Sequence, residues 1–89
     1  MPLLSTSVPT LWRLARLDFD HVRNQRVLLY PEGAVLLNDT GAAILELCDG
    51  QRSVQAIAQI LGDRYHCDVQ SDVADYLGEL ADRELIRVA

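Results

Sequence analysis

Arg26-Val27-Leu28-Leu29-Tyr30-Pro31-Glu32-Gly33-Ala34-Val35-Leu36-Leu37 is the stretch from which the fold can be read. Its first arm, Arg26 to Tyr30, is apolar on both faces through Val27, Leu28 and Leu29, which predicts a strand. Pro31-Glu32-Gly33 breaks the run. Proline presets the first turn position, and glycine can take the left-handed position that closes a three-residue hairpin with a bulge. Ala34 to Leu37 then returns as a short strand with no charged residue.

Moving toward the N-terminus, the residues from Ala15 to Asp20 alternate. Ala15, Leu17 and Phe19 fall on one face, and Arg16, Asp18 and Asp20 on the other, as in a half-exposed strand. His21 to Gln25 is polar apart from Val22 and turns the chain. The expected product is a three-stranded antiparallel meander. Residues 1–10, with Pro2, Pro9 and a Ser/Thr cluster, read as a flexible leader, leaving residues 11–89 as a single domain.

Toward the C-terminus the period changes to that of helices. Asn38 or Asp39 can cap a first helix carrying Ala42, Ala43, Ile44, Leu45, Leu47 and Cys48, stopped by Asp49-Gly50. Ser53 can cap a second, with Val54, Ile57, Leu61 and Tyr65 at one-turn spacing. Asp68 can cap a third, with Val69, Val73, Tyr76, Leu77 and Leu80 on one stripe, and Ile86 to Ala89 can add a short extension. Three strands followed by three helices make an α+β domain with helices on one face of the sheet.

Composition narrows the function. The chain has 89 residues, enough for one core, and 49% of them are apolar. All eight basic residues are arginine and the net charge is −5. Residues 1–26 carry four arginines against Asp18 and Asp20, a net of +2, whereas the remainder carries four arginines against eleven acids, a net of −7. Such a chain repels a phosphate backbone. The third helix would enter the major groove if this unit read DNA, yet it exposes Asp72, Asp75, Glu79 and Asp82, with Arg83 alone at its end.

Nor is a catalytic or metal centre spelled out. His21, Cys48, His66 and Cys67 are the only His and Cys residues, and the two cysteines belong to no CxxC pair. Cys48 reads as a small buried hydrophobe. No signal peptide, apolar membrane span or glycine-rich phosphate loop is visible, which suits a cytoplasmic protein with reduced thiols. The remaining feature is the third strand. It forms one edge of the meander without a gatekeeper charge, so an extended peptide can add to it. Alternatively, the third helix or the C-terminal segment covers that edge.

Leu28-Leu29-Tyr30-Pro31-Glu32-Gly33, continuing through Leu37-Asn38 to Leu47-Cys48-Asp49-Gly50, resembles the PqqD family of peptide chaperones in pyrroloquinoline quinone biosynthesis. Ser53-Val54, Ile57, Tyr65, Asp72-Val73 and Tyr76-Leu77 extend the resemblance over about residues 9–81. It implies a winged-helix-like fold and the role of a recognition element for a precursor peptide. The peptide would add as a strand beside the third strand and against the third helix. A radical-SAM enzyme would then receive it and cross-link a glutamate and a tyrosine of the peptide.

Carried onto this chain, the groove comprises Ala34, Val35, Leu36 and Leu37 on the strand and Asp72, Val73, Tyr76, Leu77 and Leu80 on the helix. No cofactor and no catalysis by this chain are implied. The sequence departs from the resemblance at Arg83-Glu84, where the family usually has a glycine after the last helix. A winged-helix DNA-binding regulator and a small enzyme of the quinone pathway are the rival readings. The first is disfavoured by the acidic third helix and the second by the lack of a nucleophile–base pair. A monomer and a strand-exchanged homodimer are both compatible with the bare edges.

Overall fold

The alternating and the apolar stretches pair as expected in a computed structural model that describes residues 1–89. The elements run in the order β1 (Pro9–Leu11), β2 (Arg16–Asp20), β3 (Gln25–Tyr30), β4 (Gly33–Leu37), α1 (Asp39–Glu46), α2 (Val54–Tyr65), α3 (Gln70–Asp82) and β5 (Ile86–Val88). β2, β3 and β4 form a three-stranded antiparallel sheet in that order, giving the α+β class. Leu17, Leu28 and Val35 stand opposite one another across the three strands, so they share the face turned to the helices. Asp18, Val27 and Leu36 share the other.

The helix starts are set by the side chains the sequence offers. Asn38 accepts the Gly41 N–H at 2.7 Å, and Ser53 accepts the Ala56 N–H at 3.1 Å. Asp68 stands one residue before the cap of α3, which is Val69, and accepts the Gln70 N–H at 3.0 Å. The apolar stripes of all three helices meet the sheet in one core, with Leu28, Leu37, Leu45, Ile57, Leu61 and Leu77 nearly or wholly inaccessible. Each such side chain stabilises the fold by about 1.5–3 kcal/mol relative to remaining exposed.

Besides the cap of α3, and the end of α1 at Glu46 that leaves Leu47 and Cys48 beyond the helix, the structure differs from the expectation at three places. First, the β3–β4 turn has two residues, Pro31 and Glu32, and Gly33 already pairs with Tyr30. Gly33 does not take positive φ. Proline holds φ near −65° and suits a tight turn, so no left-handed closing residue is needed.

Second, residues 1–10 are tied to the domain by their backbone. β1 pairs with β5, Pro9 opposite Val88 and Leu11 opposite Ile86, and Pro9 is buried. Ahead of it, the Ser7 and Ser5 carbonyls accept the Val54 and Gln55 N–H groups at 2.8 and 2.9 Å. These amides, at the first turn of α2, have no partner within their helix. The Leu3 N–H donates to the Ala74 carbonyl at 3.1 Å, and the Met1 ammonium lies 2.8 Å from Asp82. A polar, proline-containing segment carries no periodic signal that would reveal partners so distant in sequence.

Third, α3 ends with a Schellman-type closure in which Glu84 stands where a glycine is usual. Glu84 has φ of 63°, its N–H bonds the Ala81 carbonyl, and the Leu85 N–H reaches back to Leu80 at 3.0 Å. Leu80 and Leu85 are both buried, which supplies the apolar contact of that motif. A left-handed non-glycine residue costs about 1 kcal/mol, and the buried leucines offset it.

Candidate functional site

β4 pairs with β3 on one side and with nothing on the other. The C-terminal segment, one of the two candidates to cover this edge, pairs with β1 instead. No backbone bond from α3 reaches residues 33–37. The two-residue turn makes Tyr30 and Gly33 a directly bonded pair, and bonded and non-bonded pairs alternate from there. Leu28–Val35 and Arg26–Leu37 are therefore bonded pairs. Ala34 and Leu36 point their N–H and C=O groups outward, to the open edge.

The wall facing that edge is one flank of α3. Tyr76 comes up against α1 just beyond the end of β4: a Cβ at Gly41 would lie 2.7 Å from the Tyr76 hydroxyl oxygen. Seven residues on, the Arg83 guanidinium donates to the Tyr30 hydroxyl at 3.2 Å, beside the start of β4. α3 thus runs alongside β4 in the opposite sense. Asp72, Tyr76, Glu79 and Arg83 share the same flank by helical spacing. Tyr76 is half-buried, and burial pushes its phenol above the ordinary value, with Cys48 and Glu79 adding to the rise. Glycine at position 41 is what lets the tyrosine approach.

The residues expected to bind peptide divide by depth. Ala34, Leu36 and Asp72 are exposed, and Val35 and Tyr76 are half-buried against the core. Leu37, Val73, Leu77 and Leu80 are buried, at 4% exposure or less. Those four hold β4 and α3 in place and offer almost no side-chain surface to a ligand. Leu36, at 47% exposure, is the largest apolar side chain offered by β4, but it projects from the sheet face opposite the helices.

Sequence reasoning missed Tyr30 and Arg83, whose bond joins the end of β3 to the end of α3, and the hollow beside them. That hollow has a volume of about 240 Å³ and is lined by Trp12, Tyr30, Arg83 and Arg87 among others. In the sequence Arg83 stands out as the lone cation at the end of an acidic helix and as a departure from a glycine, and nothing in the spacing links it to Tyr30 or links Trp12 to Arg87. A wider polar hollow of about 590 Å³ lies at the α2–α3 junction, beside His66 and Cys67. Cys48 is buried, donates its thiol to the Ile44 carbonyl at 3.3 Å, and is pushed up to about 12 by burial, so it is no nucleophile at neutral pH.

Residues 25–86 match the family described as Coenzyme PQQ synthesis protein D (PqqD). The chain is 43% identical over 84 residues to the Bifunctional coenzyme PQQ synthesis protein C/D of Methylorubrum extorquens. That match covers 91% of this chain but only 23% of the relative, so the chain spans about a quarter of the bifunctional protein. It is also 43% identical over 74 residues to a PqqA binding protein of Klebsiella pneumoniae, covering 81% of this chain and 80% of that one. Among solved structures, a PqqD truncation of Methylobacterium extorquens PqqCD superposes with a TM-score of 0.77 at 43% identity, covering 90% of this chain and 88% of that one. It is described as a functional, stand-alone RiPP recognition element. PqqD from Xanthomonas campestris superposes with a TM-score of 0.60 at 33% identity, over 88% of this chain and 90% of that one.

Proposed function

The chain belongs to the PqqD family, and we propose that it binds a PqqA-type precursor peptide as an added strand along β4 and presents it to a radical-SAM enzyme, without catalysing a step itself. The observation that carries the reading is the open edge of β4 lying alongside α3. Relatives named PqqA binding protein and the recognition element among the solved structures support the same ligand class.

Ordering a flexible peptide costs entropy, and a preformed edge reduces the disorder to be removed on the protein side. The outward N–H and C=O groups of Ala34 and Leu36 fix the register. Val35 and Tyr76 supply half-buried apolar surface, with Leu37, Val73, Leu77 and Leu80 as the support beneath. Asp72, Asp75 and Glu79 on α3 favour basic residues of the peptide or of the enzyme. The same acids oppose DNA.

Presentation works by tethering, which raises the local concentration of substrate at the enzyme. One protomer contains the whole groove. The role fits a cytoplasmic protein acting where its peptide is made.

Backbone amide NMR with a PqqA peptide and a scrambled control tests the reading. Shifts concentrated on residues 34–37 and along residues 72–83, and absent with the scramble, are the expected result. No shifts with either peptide, well above micromolar concentration, would rule the groove out.

A further inference from the structure

At the Arg83 end of the groove the hollow of about 240 Å³ brings together side chains from three separate parts of the chain. Two arginines face it, and both are pinned. Arg83 donates to the Tyr30 hydroxyl at 3.2 Å. Arg87 lies over the Trp12 ring, 5.6 Å from its centroid, and donates to the Glu84 carbonyl at 3.1 Å.

Neither guanidinium forms a salt bridge, although the chain carries 13 acids against eight arginines. Glu32 and Glu84 also line the hollow, but both are exposed and their carboxylates make no hydrogen bond. The cations are therefore held and the anions are free to turn to solvent. A guanidinium has five N–H donors in a planar fork, and each of these two spends one donor within the chain.

We propose that this hollow is a carboxylate-binding subsite, which takes an acidic side chain of the peptide just beyond the stretch paired with β4. The inference rests on the strand-addition reading and adds to it a direction. The groove carries Asp72 at one end and, at the other, two arginines held within the chain beside the solvent-turned Glu32 and Glu84, so an acidic peptide residue belongs at the second. A carboxylate entering the hollow meets two preorganised forks and two aromatic rings. Its charge-assisted bonds are worth about tenfold or more in affinity.

Trp12 is the only tryptophan in the chain and lines this hollow, so its fluorescence reports occupancy separately from the β4 amides. The test titrates the full chain with a PqqA peptide and with a panel in which each acidic residue is replaced singly by its amide. Trp12 emission and the amide shifts of residues 34–37 are read together. One amide peptide is expected to lose the Trp12 response and about tenfold in affinity, yet still shift the β4 amides at saturation. Arg83→Gln and Arg87→Gln are expected to weaken the parent peptide similarly, and to add little to the loss already caused by that amide substitution.

Equal affinity across the amide panel overturns the subsite, as does a Trp12 signal that never changes while the β4 amides shift. Loss of affinity in the arginine variants with equal loss for every peptide also overturns it, because a purely structural role would give that pattern. If neither signal responds to any peptide, strand addition itself fails and the subsite falls with it.

Discussion

The two flanks of α3 are treated in opposite ways. One presents Ala74, Gly78 and Asp82, and the chain's own N-terminal segment lies across it: the Leu3 N–H bonds the Ala74 carbonyl, and the Met1 ammonium pairs with Asp82. A Cβ at Gly78 would overlap the Met1 carbonyl oxygen, so only glycine admits the segment this closely. The other flank presents Asp72, Tyr76, Glu79 and Arg83, and the strand edge beside it is bare. Small residues let a backbone lie on a helix, whereas the other flank carries the large side chains of Tyr76 and Arg83, which reach Gly41 and Tyr30. The same helix thus has a flank closed by its own chain and a flank that its own chain leaves uncovered.

The strongest way to break this contrast is to remove a donor from the bare edge. Leu36→Pro deletes an outward N–H that no ladder bond uses, and proline is tolerated at such edge positions. Peptide affinity is expected to fall about 100-fold or more, a loss of about 2.7 kcal/mol, while the melting temperature moves little. Leu36→Ala keeps the N–H and is expected to cost less than tenfold. Isothermal titration beside a thermal melt checks both, and equal losses in the two variants would count against strand addition.

The closed flank is broken by Gly78→Val. The N-terminal segment is then expected to lift from α3 and stability to fall by about 1–2 kcal/mol, measured by urea unfolding. Peptide affinity should stay within about twofold, because the opposite flank is untouched; a large loss would mean that the two flanks are coupled.

Smaller effects sharpen the picture at the helix end and terminus. Glu84→Gly relieves the left-handed backbone and is expected to raise stability by about 0.5–1 kcal/mol in the same unfolding assay. The last effect is electrostatic. The hydrogen bond to Asp82 raises the Met1 ammonium above its ordinary value of 8.0. A raised folded value means stabilisation that is complete below about 8 and is lost as pH rises through the folded value. Amide exchange at Leu3 is therefore expected to show the segment loosening above pH 8, more than simple base catalysis of exchange at a reference amide such as Leu45. An unchanged ratio would leave the segment held by its backbone bonds alone.

Much of the fold was legible because its signals are local. Alternation marked residues 15–20, Pro31 marked the turn, and Asn38 and Ser53 marked helix starts that the structure reproduces. The candidate site was legible in part. An uncharged strand of four residues after a hairpin announced an edge, and the stripe on α3 announced a buried face. Yet the stripe could not say which of its members would remain at the surface. Val73, Leu77 and Leu80 went under and Tyr76 stayed half out, because burial depends on what packs opposite and not on period alone.

By itself, the sequence determined the order of the three central strands and the three helices, the apolar core and the family, since each is written in periodicity, turn chemistry and ordered motifs; β1, which begins in residues that read as a flexible leader, was not legible. Only the tertiary structure decided that Arg83 meets Tyr30, that Arg87 covers Trp12, and that the first residues close one flank of α3 while the other stays open. Those pairings join residues 53 to 81 positions apart, or opposite ends of the chain. Long-range contacts of polar and aromatic side chains have no period of their own, and they exist only once the hydrophobic core has brought the elements together.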